Sequence, residues 1–189
     1  MAIQNPKRLI SVDDYHRMAD DGLFAQDERV ELIEGEIVEM SPIKNPHATG
    51  VRRLDALFQQ AVGRRAVVDA QNPVRLGDWS EPEPDIKLLA WRADYYAAAT
   101  PVAEDVLLLV EVADSSAGYD RRVKVPLYAS HGIREYWILD LRADILEVHR
   151  RPGPDGYAEV RRLRRGDVIA PEAFPDAVFA VSDLLGPVE

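Results

Sequence analysis

The chain has 189 residues, 47% of them hydrophobic and 30% charged, which is the make-up of a globular protein long enough to bury a real core. Its 23 Lys and Arg stand against 33 Asp and Glu, and the net charge of −10 excludes a protein that coats nucleic acid or anionic membrane by bulk attraction. Cysteine is absent, which excludes disulfides, thiolate zinc sites, iron–sulfur clusters and cysteine nucleophiles. The longest aliphatic run, Val106 to Val110, is far too short to span a bilayer, and Met1 to Arg8 carry no apolar signal core. The expectation is a cytoplasmic protein of one domain, residues 1–189, with no membrane contact.

In chain order, Ser11 is placed to cap a short helix, with Asp14 at its third position and Gly22 as its stop. Val30 to Met40 alternate apolar and acidic residues about Glu34-Gly35, the pattern of a hairpin. From His47 the apolar positions Val51, Leu54, Leu57, Phe58, Ala61 and Val62 follow helical spacing up to Gly63. Short strands are predicted over 66–70 and 73–76. Asp85 to Trp91 read as a strand entered from the stiff Glu81-Pro-Glu-Pro. Asp105 to Val112 are apolar on both faces, the mark of a central, covered strand. A helix is expected over 120–131, made irregular by Pro126. Strands follow over 135–141 and 145–149, joined by a tight turn at 142–144, and another over 157–161. The proline-bearing tail closes over the sheet. Helices fall between strands, so the fold class is α/β (α+β), a mixed, mostly antiparallel sheet flanked by helices.

Common catalytic motifs are missing. No glycine pattern forms a phosphate loop or a dinucleotide fingerprint. Asp114-Ser-Ser-Ala-Gly lacks the first glycine of a nucleophile elbow. The four histidines are far apart, with no H-E-x-x-H.

The informative residue is Glu111. It follows five aliphatic residues in a strand that should be covered, where a carboxylate costs several kcal/mol unless neutralised. Asp85 begins the preceding strand. Antiparallel pairing sets the start of one beside the end of the other, and two adjacent carboxylates resolve their repulsion by sharing a hard cation or a proton. The plainer alternative has Glu111 reaching solvent at a strand end and Asp85 capping a turn.

Pro84-Asp85, Glu111-Val-Ala, Tyr119-Asp-Arg-Arg-Val-Lys124 with Tyr128, and Gly132-Ile-Arg-Glu-Tyr-Trp-Ile-Leu-Asp140 occur in an order that resembles the Uma-type restriction endonuclease family. That family is a domain-of-unknown-function group in the PD-(D/E)XK nuclease superfamily. Glu28 to Pro42, with His47 beyond, is similar to the family's opening, so the resemblance covers nearly the whole chain. It implies a restriction-endonuclease-like core and a Mg²⁺ ion, with Mn²⁺ as substitute, held by Asp85, Glu111 and the backbone carbonyl of Val112. The lysine of the E-x-K pattern would fall at position 113, which is Ala113. The resemblance implies that this lysine has moved to the following helix as Lys124, completing the catalytic set Asp85, Glu111 and Lys124. Position 113 shares a strand face with Glu111, so Ala113 is expected to leave an opening there for the Lys124 ammonium.

Three residues stand in support. Glu31 is read first as a solvent-facing acid, and alternatively as the family's acidic residue holding a second metal or its water. His47 is read as a surface histidine at a helix start, with capping or a phosphate contact as the alternative. Tyr128 is either a buried packing tyrosine or a hydrogen-bond donor to phosphate or water. Arg150, Arg151, Arg161, Arg162, Arg164 and Arg165 cluster across a predicted hairpin, where Glu147 and Glu159 are placed to neutralise them. Arg52, Arg53, Arg64, Arg65, Arg121 and Arg122 offer a second basic patch. The leading expectation is a Mg²⁺-dependent endonuclease acting on DNA as a homodimer. The alternatives are a silent binding or assembly module that keeps the fold, or another metal-dependent phosphoesterase.

Overall fold

The computed structural model describes residues 8–25 and 27–187. Helix α1 (Val12–Asp20) starts where the Ser11 hydroxyl accepts from the Asp14 amide at 3.1 Å. Strands β1 (Val30–Ile33) and β2 (Glu36–Glu39) form a two-stranded hairpin. Its turn residues Glu34 and Gly35 both take positive φ, 49° and 78°, which matches the right-handed strand twist. Helix α2 (Asn45–Val62) presents Leu54, Phe58 and Val62 to the core and ends at Gly63.

The main sheet has six strands: β3 (Ala66–Ala70), β4 (Ile86–Ala90), β5 (Val106–Ala113), β6 (Glu135–Asp140), β7 (Ile145–Gly153) and β8 (Gly156–Leu163). They lie in the order β3-β4-β5-β6-β7-β8, antiparallel at every step except the parallel pair β5–β6. A parallel step needs a crossover connection, and the segment 114–134 supplies it. It contains α3 (Ala117–Tyr119), a π-helical stretch Asp120–Lys124 and α4 (Val125–Ser130). The Val125 amide donates to the Asp120 carbonyl, five residues back. Pro126 explains the widening, since its ring would clash with the carbonyl of residue 122 in a regular helix.

The sheet faces carry separate cores. On one, Val110, Val112 and Trp137 pack against Phe58 of α2 and against Leu184 of α5 (Val181–Leu185). On the other, Leu109, Tyr136 and Ile138 pack against Leu127 and Tyr128 of α4. Two short strands, β9 (Val168–Ile169) and β10 (Phe179–Ala180), pair as the tail crosses the first face.

The strand expected over 73–76 does not form. Gly77, at φ 70°, turns the chain so that Leu76 pairs back on Ser80, leaving only isolated bridges. The helix expected from 120 begins at Ala117 instead. Among the described residues, no helix is long and apolar enough to cross a membrane.

Candidate active site

Strand register brings the two carboxylates together. Ile86 of β4 is opposite Val110 of β5, so Asp85, just before β4, lies beside Glu111. The Asp85 amide faces Glu111 Oε2 at 3.4 Å, and the Val112 amide donates to Asp85 Oδ2 at 2.8 Å. Asp85 Oδ1 accepts from Gln71 Nε2 at 3.3 Å and contacts His47 Nε2 at 3.0 Å.

His47 sits in the first turn of α2 and is half-buried. Its Nδ1 donates to the Val112 carbonyl at 2.8 Å, while Nε2 faces the Asp85 carboxylate. Both partners are acceptors, an arrangement that favours the doubly protonated ring. The Asp85 hydrogen bond raises its pKa, with burial opposing. The surface reading of His47 is therefore corrected. Gly50 makes the placement feasible, because a Cβ there would meet Val112 Cγ1 at 2.8 Å.

Glu111 is 8% exposed. Tyr128 Oη donates to its Oε1 at 3.1 Å, and Lys124 Nζ lies 3.7 Å from the same oxygen. Burial pushes the Glu111 carboxyl well above the usual range; the Lys124 ammonium works against this, and Asp85, Asp120 and Glu31 reinforce it. Tyr128 is fully buried as a packing residue, and its hydroxyl is spent on Glu111 rather than left facing the cleft.

Lys124 ends the π-helical stretch with its side chain 4% exposed. Its ammonium forms a direct ion pair with Glu31. Burial acts to lower its pKa, but Glu111 and Glu31 together carry it upward. Glu31 is thus no solvent-facing acid. All four β1 residues are buried, because backbone bonds between Leu32 and Glu81 dock the hairpin on the body. Ala113 leaves no opening either: it is fully buried in the apolar cluster with Tyr128 and Ile138, and Lys124 reaches Glu111 from the helix side.

Among the buried charges that sequence reasoning missed, Asp120 and Lys87 stand nearest the carboxylate pair. Asp120, at 4% exposure, accepts from the Ser116 hydroxyl at 2.9 Å, and burial pushes its pKa up to about 6. Lys87, two residues beyond Asp85 and wholly buried, pairs with Asp69 at 2.9 Å and donates to the Asn72 carbonyl. The signal was present for Lys87, a charge inside an apolar strand like Glu111. Asp120 had none, since acids at helix starts are common on surfaces.

Asp85, Glu111, Lys124, Glu31, His47 and Asp120 line a cleft of about 300 Å³. Seven carboxylates (Glu31, Glu39, Glu83, Asp85, Glu111, Asp114 and Asp120) face Arg29, Lys44, Lys124 and His47 across it. Among the described residues, no three His, Asp or Glu side chains form a ready-made cage for a metal. A hard ion that keeps several waters needs fewer protein ligands. Asp85, Glu111 and the Val112 carbonyl are adjacent oxygen donors, and the carbonyl keeps a second lone pair beside His47. The donor set fits such an ion.

The hairpin arginines are neutralised as expected by Glu147 and Glu159, and other acids take further members of both sets. Arg150 pairs with Glu135, Arg162 with Glu147, Arg151 with Glu159 and Arg165 with Asp144. Arg121 bridges Asp140 and Glu147, whereas Arg65 pairs with Asp176 and Arg53 donates to the Leu185 carbonyl.

A mixed six-stranded sheet with helices on both faces, carrying a carboxylate pair and a lysine at one end of its strands, is a restriction-endonuclease-like fold. The chain matches the Uma2 family, described as "Putative restriction endonuclease", over residues 12–182, and belongs to it. It is also similar to a solved structure described as "a putative nuclease belonging to DUF820" from Anabaena variabilis ATCC 29413. The two share 17% identity and a TM-score of 0.74, over 93% of this chain and 97% of that one. At that identity the likeness speaks for the fold. A comparison with curated proteins found no match.

Proposed function

We propose that the protein is a metal-dependent endonuclease that hydrolyses phosphodiester bonds of DNA. The observation that carries the reading is the meeting of Asp85, Glu111 and Lys124, from three separate elements, in one cleft. The family description supports nucleic acid as substrate and restriction-type cleavage of DNA. Asp85, Glu111 and the Val112 carbonyl would hold Mg²⁺, or Mn²⁺ as substitute. When bound, the ion polarises the phosphoryl oxygen and makes water a stronger nucleophile. The protein's own groups do the rest. The Val112 amide and His47 fix Asp85, and Tyr128 orients Glu111. The Lys124 ammonium, at the end of a buried stem, offsets charge that develops on the phosphate and orients the attacking water. The excess of carboxylates repels a polyanion, so substrate approach depends on the cation.

Cutting both strands with one centre per chain favours a homodimer whose twofold axis matches that of the duplex. Plasmid nicking tests the reading: conversion with Mg²⁺ or Mn²⁺, none with EDTA, and none for Asp85→Ala. Equal nicking by Asp85→Ala would refute it. A silent fold is the second reading, favoured by Ala113 in place of lysine, and predicts no nicking by any variant.

A further inference from the structure

We infer that Glu31 is a positioning residue for Lys124, the counter-charge that lets a buried ammonium stand beside a divalent cation, and not itself a metal ligand. The inference rests on the metal site proposed above. Lys124 touches two carboxylates, Glu31 directly and Glu111 at 3.7 Å, with all three side chains no more than 10% exposed. An ion held by Glu111 would claim that carboxylate's charge. The ammonium would then face a divalent cation across one shared group, in a setting where like charges are poorly screened. Without a second anion, either the ammonium leaves or the ion binds poorly.

Glu31 supplies that anion from a different part of the chain. Its Oε2 takes the Lys124 ammonium and also faces the Glu83 amide at 3.4 Å. The hairpin that carries it is anchored independently of the main sheet, by the Leu32 and Glu81 backbones at 2.8 and 3.4 Å. The backbone that carries Glu31 is therefore held by bonds that do not involve Glu111. Tyr128 holds Glu111 from the other side, so the two carboxylates have separate anchors and divided roles.

The test is a double-substitution cycle read by ion-induced thermal stabilisation, with Mn²⁺ titrated into metal-stripped protein. Glu31→Gln should weaken the apparent Mn²⁺ affinity on the order of tenfold, because the ammonium is left uncompensated. Lys124→Met should bind Mn²⁺ at least as tightly as the unsubstituted chain. The double variant should return to within about threefold of the unsubstituted chain, since the charge that needed Glu31 is gone. Affinity that stays low in the double variant would make Glu31 a ligand and overturn the inference while leaving the metal site standing. Absence of any Mn²⁺ response in the unsubstituted chain overturns the site and this inference together. Gln and Met preserve side-chain length, and the melting transition itself reports folding; Lys124→Gln replaces Lys124→Met if that variant does not fold.

Discussion

Asp120→Asn should stabilise the protein at neutral and alkaline pH. Asp120 is buried near Lys124 and keeps one hydrogen bond, from Ser116, which an amide oxygen can also accept. Burial raises its carboxyl from the ordinary 3.8 to about 6. The folded value lies above the unfolded one, so the folded state holds the proton more tightly. Its contribution to stability is fully present below about 3.8 and is lost as pH rises through about 6. The gap corresponds to about 3 kcal/mol at pH 8, by the usual conversion of a pKa difference. In a chain of this size that is on the order of 6–12 °C in Tm. The assay is thermal melting in EDTA at pH 8 and pH 4.5, with the variant and the unsubstituted chain side by side. The variant should melt higher at pH 8, and its advantage should shrink to about a third at pH 4.5. A variant that melts no higher at pH 8, or gains equally at both values, would refute the burial argument.

Lys124→Ala should abolish nicking while its melting point still rises with Mg²⁺, because the ammonium serves the reaction and not the ion; loss of the melting response would reverse that assignment. Tyr128→Phe removes the donor to the buried Glu111 Oε1 and should lower stability by about 1–3 kcal/mol, checked by urea denaturation. Gly50→Ala would gain about 1 kcal/mol in an isolated helix. Here the contact of its Cβ with Val112 Cγ1 at 2.8 Å should reverse the sign to a loss of about 1–3 kcal/mol, measured in the same denaturation series.

The carboxylate pair was legible because burial and charge conflict openly at Glu111, an acid closing an aliphatic strand, and because Pro84 marks where the partner strand starts. The alternation of β1 misled for a physical reason. An apolar–acidic pattern describes a hairpin with one wet face, and no local signal reveals that the Leu32–Glu81 pairing covers the other. Pro126 marked the crossover helix as irregular, yet the direction in which the irregularity aims Lys124 depends on how the helix lies on β5 and β6. Residues 73–76 resembled a strand by composition, but Gly77 folds them back before a neighbour can pair. Within the β7–β8 hairpin, Glu147 and Glu159 take Arg162 and Arg151 as the alternating charges suggested, whereas the pairing of Arg65 with Asp176 and of Arg165 with Asp144 joins separate segments, which spacing along the chain does not disclose.

The single parallel step in the sheet has a consequence for when the centre comes into being. Glu31 and Lys124 lie 93 positions apart, and Glu111 meets Lys124 only after the crossover has laid its helix back over β5. Contacts of such long range form after the loops between them close. A nascent or partly unfolded chain therefore carries every one of these side chains with none of them in register. The cleft is thus assembled only on completion of the fold, and a partly folded chain has no such centre.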